Sequence, residues 1–370
     1  MAVTRRAFLA GCTALLAMPL CGTPRLSAAA KAGRKLIVGS EKSVCAIDLD
    51  TRQVAQISVA FKPHGYAQNP RQPARIWAFE KWGRGAAEVD FASGVVAQTF
   101  TSPEDTQFFG HGLFSRDGKI CFAVREDLTT GLGHCIGFDT TTYQEVMDIQ
   151  ATPGGLHECH LLDDDTFLVA SNGAPVIFKD GVMQPTPMVE RSSLVHVDPG
   201  AGKVLDKKFI ADDDQIIGHF ALSRAGAIIA LSSQRRSAAV PHGAIYFGHL
   251  NQPALRRVVL PEALEAKLQG EMLSIAIDEA RNLALVTNPG GSRVLFIDSQ
   301  SGAYLGALEN KINGVVFDEA LAGFIGSGKE LVLIKSRQDK VQTLAAHDSA
   351  GAAFLAAFDG AHSILADGVG

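Results

Sequence analysis

The chain of 370 residues has few cysteines, and their spacing matches no common metal or redox motif. Only six cysteines are present, and neither a C-x-x-C pair nor a C-x-x-C-H segment occurs. This spacing argues against a zinc ribbon, a thioredoxin-like redox site and a c-type haem. Cys121 and Cys135 fall on two neighbouring predicted strands, where an oxidising compartment would let them face each other.

Positive charge is also scarce, since 34 Lys and Arg stand against 39 Asp and Glu, for a formal net charge of −5. An acidic chain without a basic stripe is not expected to bind nucleic acid. No apolar run approaches the ~20 residues of a membrane-spanning helix, so no membrane span is expected. Heptads are absent and the 37 glycines and 15 prolines are scattered, which excludes a coiled coil and a collagen-like chain.

The start of the chain has the order of regions found in a removable export signal. Within residues 4–9, a threonine and two arginines precede a Phe-Leu pair, which resembles the twin-arginine signal. A short apolar run over residues 14–20 follows, and three alanines at 28–30 offer a cleavage site. The sequence therefore predicts a signal peptide over residues 1–30, a mature domain over 31–370, and a periplasmic location.

The body of the chain is a series of short apolar segments separated by polar turns. From Lys35 onward, segments rich in Val, Ile, Leu and Phe alternate with turn residues, a pattern typical of β-strands. Examples are residues 119–124, 166–170 and 227–231. Only residues 261–268 have the pattern of a helix, with a proline at its start. The sequence predicts an all-β fold.

The predicted strands group into repeated units of about 40–60 residues. A tight turn after an apolar strand, as at residues 114–118, recurs along the chain. Third strands end in aspartate, as at Asp139, Asp198 and Asp298. Four-stranded units repeated around a circle are typical of a β-propeller. The units begin near residues 64, 111, 157, 219, 272 and 312.

The two chain ends complete the predicted ring. Residues 35–59 form a unit that lacks its first strand, and residues 352–358 form a lone first strand, so pairing them makes a seventh blade without exposed edges. We expect a seven-bladed β-propeller over residues 31–370, closed by pairing the N-terminal strands with a C-terminal strand. Six or eight blades are the alternatives, because residues 171–193 and 233–270 are irregular.

Four histidines occupy the same place in successive units. His64, His111, His157 and His219 each lie six positions before the turn, at the entry of the first strand. First strands line the central channel of a propeller, so the four imidazoles are expected to converge near one mouth of that channel. Sets of three or four neutral imidazoles suit copper, zinc or iron. The sequence therefore predicts a transition-metal site formed by these four residues.

Three polar residues are expected close to the histidines. Glu126 and Asn172 fall in loops between second and third strands, on the same face as the histidines, and Glu158 directly follows His157. Glu126 or Glu158 could bind the metal directly or orient a ligating ring.

The histidine register also has two other interpretations. The rings could line the channel for structural reasons, since repeats often keep one residue type at one place, or they could transfer protons in catalysis. His160 is interpreted as core or channel packing. The other histidines follow no register and are interpreted as surface or structural residues: His134, His196, His242, His249, His347 and His362.

Several stretches resemble a family of exported bacterial proteins of unknown function that carry a twin-arginine signal and a seven-bladed propeller. Genes of that family often lie beside imelysin-type periplasmic iron-uptake proteins and di-haem oxidoreductase-like proteins, so the resemblance implies a role in periplasmic iron handling. The family has no established catalytic residues. The stretches are Phe109 to Ser115 with Asp117 and Gly118, Gly155 to Glu158, Ser171 to Gly173, and Gly218 to Ala221.

These observations lead to three functional hypotheses. The first is a soluble, monomeric periplasmic propeller that binds iron or copper through the four histidines and assists metal uptake. The second is a scaffold that docks an iron-uptake or haem protein through Trp77, Phe79 or Trp82, since aromatic residues dominate interface hot spots. Ordinary blade packing is the alternative, favoured interpretation of these three side chains. The third is a lactonase or lyase in which the channel histidines and Glu126 act as acid–base groups.

Overall fold

The all-β prediction is confirmed. The residues that the structure describes form β-strands and one short helix, α1 (Glu262–Glu265), which begins after Pro261 and lies within the predicted segment 261–268. No helix in the described part of the chain is long and apolar enough to cross a membrane. The computed structural model describes residues 33–179, 182–184, 186, 189–234, 242–328, 330–336, 338, 341–344 and 362–369.

Three of the sequence predictions lie outside the described residues. They are the signal peptide over residues 1–30, the strand over residues 352–358, and His347.

The strands of the first part of the chain pair antiparallel with their neighbours in sequence. Their bounds are β1 (Lys35–Ser40), β2 (Ser43–Asp48), β3 (Val54–Ser58), β4 (Pro63–Gln68), β5 (Arg75–Gly83), β6 (Gly85–Asp90), β7 (Val95–Thr101), β8 (Thr106–Phe114), β9 (Ile120–Asp127), β10 (Leu132–Asp139) and β11 (Glu145–Pro153). The strands β4–β7 and β8–β11 are two four-stranded meanders, and a short pairing of β5 with β8 joins them.

The middle of the chain repeats this arrangement with one insertion. Its strands are β12 (Leu156–Leu161), β13 (Phe167–Ser171), β14 (Ile177–Lys179), β15 (Val182–Gln184), β16 (Ser193–Asp198), β17 (Lys203–Ile210), β18 (Gln215–Leu222), β19 (Ala227–Gln234), β20 (Ile245–His249) and β21 (Ala254–Arg257). The order β12-β13-β16-β17 is one meander and β18-β19-β20-β21 the next. The separate hairpin β14-β15 lies between the second and third strands of the first meander, which accounts for much of the irregular pattern over residues 171–193.

The remaining strands form four-stranded antiparallel sheets. They are β22 (Ile275–Asp278), β23 (Leu283–Asn288), β24 (Arg293–Asp298), β25 (Tyr304–Glu309), β26 (Ile312–Asp318), β27 (Gly323–Gly328), β28 (Leu331–Ile334), β29 (Gln342–Thr343) and β30 (Ser363–Ala366). The orders are β22-β23-β24-β25, β26-β27-β28-β29 and β3-β2-β1-β30, so the last sheet combines strands from both ends of the described chain.

Aspartates end the third strands and fix the turns that follow. The Asp139 carboxylate accepts hydrogen bonds from the Thr141 and Thr142 backbone N–H groups, at 2.9 and 2.7 Å. Asp298 accepts one from the Ser301 N–H at 2.8 Å in the same way. A short acceptor side chain that bonds its own backbone two or three residues later stabilises a tight turn. The predicted strand-ending aspartates are therefore confirmed as turn residues.

The core lies between facing sheets. Phe122 on β9 and Phe167 on β13 belong to neighbouring sheets, and their ring centroids lie 5.2 Å apart within one buried apolar cluster. Similar clusters join the other adjacent sheets, for example across Leu285 on β23 and Phe324 on β27. Burying both faces of each sheet in this way removes a large apolar area from water, which is the main favourable term in folding.

The first strands of the sheets lie beside one another. In order, β4, β8, β12, β18, β22, β26 and β30 contact each other in series, and β30 also contacts β4. β30 pairs antiparallel with β1, with Lys35 opposite Ala366. The C-terminal partner of the N-terminal strands is thus Ser363–Ala366, which lies later in the chain than the segment predicted for that role.

Candidate metal centre

The predicted histidines lie where their strands break register. The register shifts between Pro63 and Gly65 on β4, between Phe108 and Gly112 on β8, between Leu156 and Cys159 on β12, and between Ile217 and His219 on β18. A β-bulge leaves a residue outside the ladder, bends the strand and turns its side chain in a new direction. His64, His111 and His157 are among the residues left out of the ladder, whereas on β18 the residue left out is Gly218, directly before His219.

Glycines let the first strands approach each other closely. Gly110 has a φ of +92°, and a Cβ there would lie 2.4 Å from His64 Cδ2. A Cβ on Gly65 would lie 2.2 Å from the Gly110 carbonyl oxygen. Only a residue without a side chain fits such spacing and adopts that backbone conformation without strain. These glycines allow the His64 and His111 rings to meet, with ring centroids 5.2 Å apart.

The structure brings the four predicted histidines together. The His111 ring centroid lies 4.4 Å from that of His157 and 5.6 Å from that of His219, and the His157 and His219 centroids are 4.7 Å apart. His64 lies 5.4 Å from His157.

A fifth ring, His362, joins the cluster, so of its two predicted roles the surface one is wrong and the structural one fits. Its centroid lies 4.2 Å from His64, 4.6 Å from His219 and 4.9 Å from His111. The reason is that β30, which begins at the next residue, is itself a first strand. An Asp-Gly turn at residues 367–368 follows that strand and is the sequence signal that marks it. We call His64, His111, His157, His219 and His362 the histidine cluster.

Four rings of the histidine cluster have the spacing of a metal site. One ring nitrogen from each of His64, His111, His157 and His362 lies within 4.8 Å of the corresponding nitrogens of the others. The fifth ring, His219, instead places its Nδ1 3.3 Å from Glu158 Oε2.

Hydrogen bonding fixes the tautomer of His157. Its Nδ1 lies 3.1 Å from the Phe109 carbonyl oxygen, which can only accept, so Nδ1 carries the proton. The other nitrogen, Nε2, then presents a lone pair, and Lys81 Nζ lies 3.3 Å from it. No motif in the sequence marks Lys81 as a neighbour of the histidines.

The Nε2 atoms of His64, His111 and His362 are buried and have no hydrogen-bond partner among the described residues. A buried polar atom without a partner loses its interaction with water and gains nothing in return, at a cost of roughly 1–3 kcal/mol each. Native structures keep few such atoms, and each calls for an explanation such as a bound ion.

Burial keeps these imidazoles neutral. It lowers the pKa of His111 to about 3, with a smaller opposing effect from Glu158. It also lowers the pKa values of His64, His157 and His362 well below the usual range, and neighbouring positive groups such as Lys81 add to the effect. Neutral imidazole, with a free lone pair, is the form that binds metals.

Glu158 lies beside the histidine cluster, as predicted from its position after His157. Its Oε2 accepts a hydrogen bond from the Phe220 N–H at 2.8 Å, and its Oε1 lies 3.5 Å from His160 Nε2. Although burial opposes it, hydrogen bonds from His160 and His219 hold the pKa of Glu158 well below its usual range. The carboxylate is therefore charged and orients His219.

The loop prediction is wrong for Glu126, which lies inside β9 because that strand extends to Asp127, whereas Asn172 follows the end of β13 as predicted. Glu126 is buried and accepts hydrogen bonds from the Gln107 side chain and the Val176 N–H, both at 2.9 Å. Burial raises its pKa to about 7, against the effect of those two bonds. It lines neither of the cavities beside the histidine cluster, whereas Asn172 lines one of them.

The histidine cluster lies between two cavities. The first, here the Lys81 cavity, has a volume of about 180 Å³ and is lined by residues that include Lys81, Asn172 and Glu271. The second, the Glu158 cavity, has a volume of about 160 Å³, and Glu158 and His160 are among its lining residues. His157 and His219 line the first cavity, and His111, His219 and His362 line the second.

The aromatic side chains proposed as docking anchors differ in exposure. Trp77 and Phe79 are fully buried in an apolar cluster, so they are core residues and not anchors. Trp82 is 39% exposed and lines the Lys81 cavity.

The cysteines form no disulfide in the described part of the chain. Cys121 lies opposite Phe138 and Cys135 opposite Val124 in the β9–β10 pairing, so the two sulfur atoms do not face each other across the ladder. Cys45, Cys121, Cys135 and Cys159 are all free thiols. The first three are buried and Cys159 is half-buried.

Solved structures with a similar fold define the class of protein. Hydrazine synthase of Kuenenia stuttgartiensis matches with a TM-score of 0.64 and 12% identity, over 80% of this chain and 90% of that chain. The Myceliophteria thermophila Cps50 (Swd1) β-propeller domain matches with a TM-score of 0.58 and 11% identity, over 80% and 93%. U3-55K matches with a TM-score of 0.57 and 11% identity, over 90% and 91%. This is an all-β, propeller-like protein with a buried imidazole cluster.

Residues 57–354 match the family described as a protein of unknown function (DUF1513), and the chain belongs to that family. A comparison with curated proteins finds no matching relative. The predicted resemblance to a propeller family of unknown function is confirmed. The export signal and the association with iron uptake stay predictions.

Proposed function

We propose that this chain is an exported, seven-bladed propeller that binds a transition-metal ion through its histidine cluster and serves as an accessory in metal uptake. The four-stranded meanders, the series of contacts between first strands and the pairing of β30 with β1 support a closed ring of seven blades. Pairing strands from both chain ends gives β1 a hydrogen-bonded partner on its inner side, so the first and last described strands are held in one sheet.

The observation that carries the proposal is the spacing of four imidazole nitrogens, all within 4.8 Å of one another. In a tetrahedral site with metal–nitrogen bonds of roughly 2.0–2.1 Å, ligand nitrogens lie about 3.3 Å apart. A small inward movement of His64, His111, His157 and His362 would reach that spacing. A bound ion would also give partners to the buried Nε2 atoms of His64, His111 and His362, which have none among the described residues.

The donor set favours a borderline transition metal. Imidazole nitrogens suit zinc, copper, iron and nickel, whereas magnesium and calcium prefer oxygen. The choice of iron, with copper as the alternative, rests on the family resemblance, and so does the periplasmic location. In this proposal His219 is a fifth imidazole at the site, and Glu158 orients it in the way that carboxylates orient ligating histidines.

Metal analysis of the mature, exported protein tests this function. We expect close to one transition-metal ion per chain in the wild type and almost none in a variant with His64, His111, His157 and His362 changed to Ala. The matched control changes four described histidines outside the cluster to Ala, and it should keep the metal: His134, His196, His242 and His249. Circular dichroism shows whether each variant is folded. Equal metal content in the wild type and a folded cluster variant would end the proposal.

A docking role is the second candidate, and one observation favours it. Trp82 is partly exposed beside the Lys81 cavity, where a partner such as a periplasmic iron-uptake or haem protein could reach both the aromatic ring and the site. If the chain docks such a protein, Trp82→Ala should weaken the complex while metal content stays unchanged. The lactonase or lyase alternative gains no support from Glu126, whose carboxylate bonds Gln107 and Val176.

A further inference from the structure

Lys81 is a partly buried cation placed against a candidate metal ligand. Its Nζ lies 3.3 Å from His157 Nε2 and 4.6 Å from the centroid of the Trp82 ring. Among the residues that the structure describes, the nearest acidic influence on it is Glu271, which lines the same cavity and partly offsets the effect of burial on the Lys81 pKa. The pairing of β5 with β8 determines the position of Lys81, since it places Lys81 opposite Phe109 of the neighbouring sheet.

A metal ion at the histidine cluster changes the surroundings of this ammonium group. The lone pair that receives the Lys81 hydrogen bond is the one that His157 would offer to the metal, and a ligated ion would lie only about 2 Å from Nε2. Two positive charges would then face each other at close range in a largely buried site, where their repulsion is far stronger than in water. An anion between them would remove the repulsion and give the ammonium a new acceptor.

The Lys81 cavity has the size and lining for such an anion. Its volume of about 180 Å³ exceeds the roughly 150 Å³ of an engineered protein cavity that binds benzene, a larger molecule than acetate. The Asn172 side chain and Ser233 add polar groups to its lining.

One wall of the cavity is aromatic. Trp82 has a φ of +61°, a backbone conformation that bulky residues rarely adopt and that often marks functional sites. It offers a flat apolar surface for the carbon part of a small ligand.

We propose that the Lys81 cavity binds a small carboxylate that completes the metal site. One carboxylate oxygen binds the metal, and the other accepts a hydrogen bond from Lys81 Nζ, which leaves His157 when the metal arrives. No bond of the carboxylate is broken and no electron is transferred. This inference rests on the proposed metal function and names the co-ligand class with which the protein holds its metal.

The experiment uses the mature full-length chain loaded with Co²⁺, whose visible absorption reports the ligands of the metal. Acetate is the probe, added at constant ionic strength against chloride. In the wild type we expect acetate to shift the Co²⁺ spectrum saturably. Lys81→Met should still bind Co²⁺ and should lose acetate affinity by roughly tenfold or more, because charged hydrogen bonds contribute that much. Lys81→Arg should retain part of the affinity, and Lys119→Met, at an exposed lysine paired with Asp117, should match the wild type.

The outcomes separate the two proposals. If the wild type binds Co²⁺ but acetate leaves its spectrum unchanged, or if Lys81→Met binds acetate as tightly as the wild type, the co-ligand inference is wrong and the metal site stands. If the wild type takes up no Co²⁺ or any other transition metal, the metal site fails and this inference fails with it.

Discussion

The His362 and His64 rings lie 4.2 Å apart, centroid to centroid, although they come from opposite ends of the chain. The contact depends on β30, which pairs with β1 and also contacts β4, the strand of His64. The last described strand therefore has two roles, since it completes the N-terminal sheet and delivers an imidazole to the histidine cluster. Assembly of the site thus requires both ends of the propeller-like domain to be in place.

This relationship predicts that His362→Ala weakens metal binding. Removing one of four nitrogens that share a site should lower metal affinity by at least about tenfold, since even residues that only orient a ligand contribute that much. Competition of the protein with a chromogenic chelator measures the affinity. His249→Ala is the control, because His249 ends β20 and packs against Phe247, away from the cluster. An unchanged affinity for His362→Ala would remove this residue from the ligand set.

The second prediction concerns Glu158, which contacts His219 and His160 but none of the four closely spaced nitrogens. Glu158→Gln removes the negative charge that orients His219 while keeping a side chain of the same size. We expect metal affinity to fall about 10–100-fold, the usual effect of losing a carboxylate behind a ligating histidine.

Glu126→Gln is the matched control for that change, since Glu126 is also a buried glutamate but bonds Gln107 and Val176. It should leave metal affinity unchanged. The result that contradicts a role for Glu158 is an equal effect of the two substitutions in the same chelator competition.

The histidine register is visible in the sequence for a physical reason. Each of the four first strands carries its histidine at a bulge, and each bulge lies at a similar distance from the turn that ends the strand. A repeated local geometry keeps a repeated spacing, so His64 and His111 can be aligned without knowledge of the fold. His362 is missed by the alignment because its Asp-Gly turn follows it by one residue fewer than in the other units. In addition, the apolar segment at residues 352–358 also has the pattern of a first strand.

Lys81 is not predictable from the sequence. Its proximity to His157 depends on the pairing of β5 with β8, in which Lys81 lies opposite Phe109. The Phe109 carbonyl oxygen in turn accepts a hydrogen bond from His157 Nδ1–H. That pairing joins two neighbouring sheets and follows from their packing, not from a local pattern. The turn aspartates behave in the opposite way, since Asp139 and Asp298 bond only their own turns and can be assigned from a few residues.

The third prediction tests the close approach of the first strands. Gly110→Ala would place a Cβ 2.4 Å from His64 Cδ2 and 3.0 Å from Lys81 Cβ, at a φ of +92°. Gly94 also has a positive φ, of +73°, but a Cβ there would meet no atom within 4 Å. Gly94→Ala therefore measures only the cost of holding an alanine in the left-handed backbone conformation, about 1–2 kcal/mol. We expect Gly110→Ala to lower the free energy of unfolding by more than Gly94→Ala, and to reduce metal content as well.

Urea unfolding and metal analysis of the two glycine variants measure these effects. Gly94→Ala should retain the metal content of the wild type, because Gly94 lies in the turn between β6 and β7. Similar losses of stability in both variants would show that the backbone at Gly110 can relax away from His64.

The fourth prediction concerns pH. In the folded, metal-free protein, burial lowers the pKa of His111 from 6.5 to about 3, and those of His64, His157 and His362 fall for the same reason. In the unfolded chain these imidazoles take up protons near pH 6.5. The unfolded chain therefore binds more protons below that pH, so the stability contributed by the neutral rings is fully present above about pH 6.5 and is lost as the pH falls toward about 3.

Each buried neutral ring adds a slope of up to about 1.4 kcal/mol per pH unit to the free energy of unfolding. Urea unfolding of chelator-treated protein between about pH 5 and about pH 6.5 measures that slope, and this range avoids most carboxylate titration. His111→Leu removes one titrating ring and an Nε2 atom without a described partner, so its slope should be smaller than that of the wild type. If the free energy of unfolding of wild type and of His111→Leu depends equally on pH, burial does not keep the His111 ring neutral. The His111 ring would then not offer a free lone pair to a metal ion in the metal-free protein.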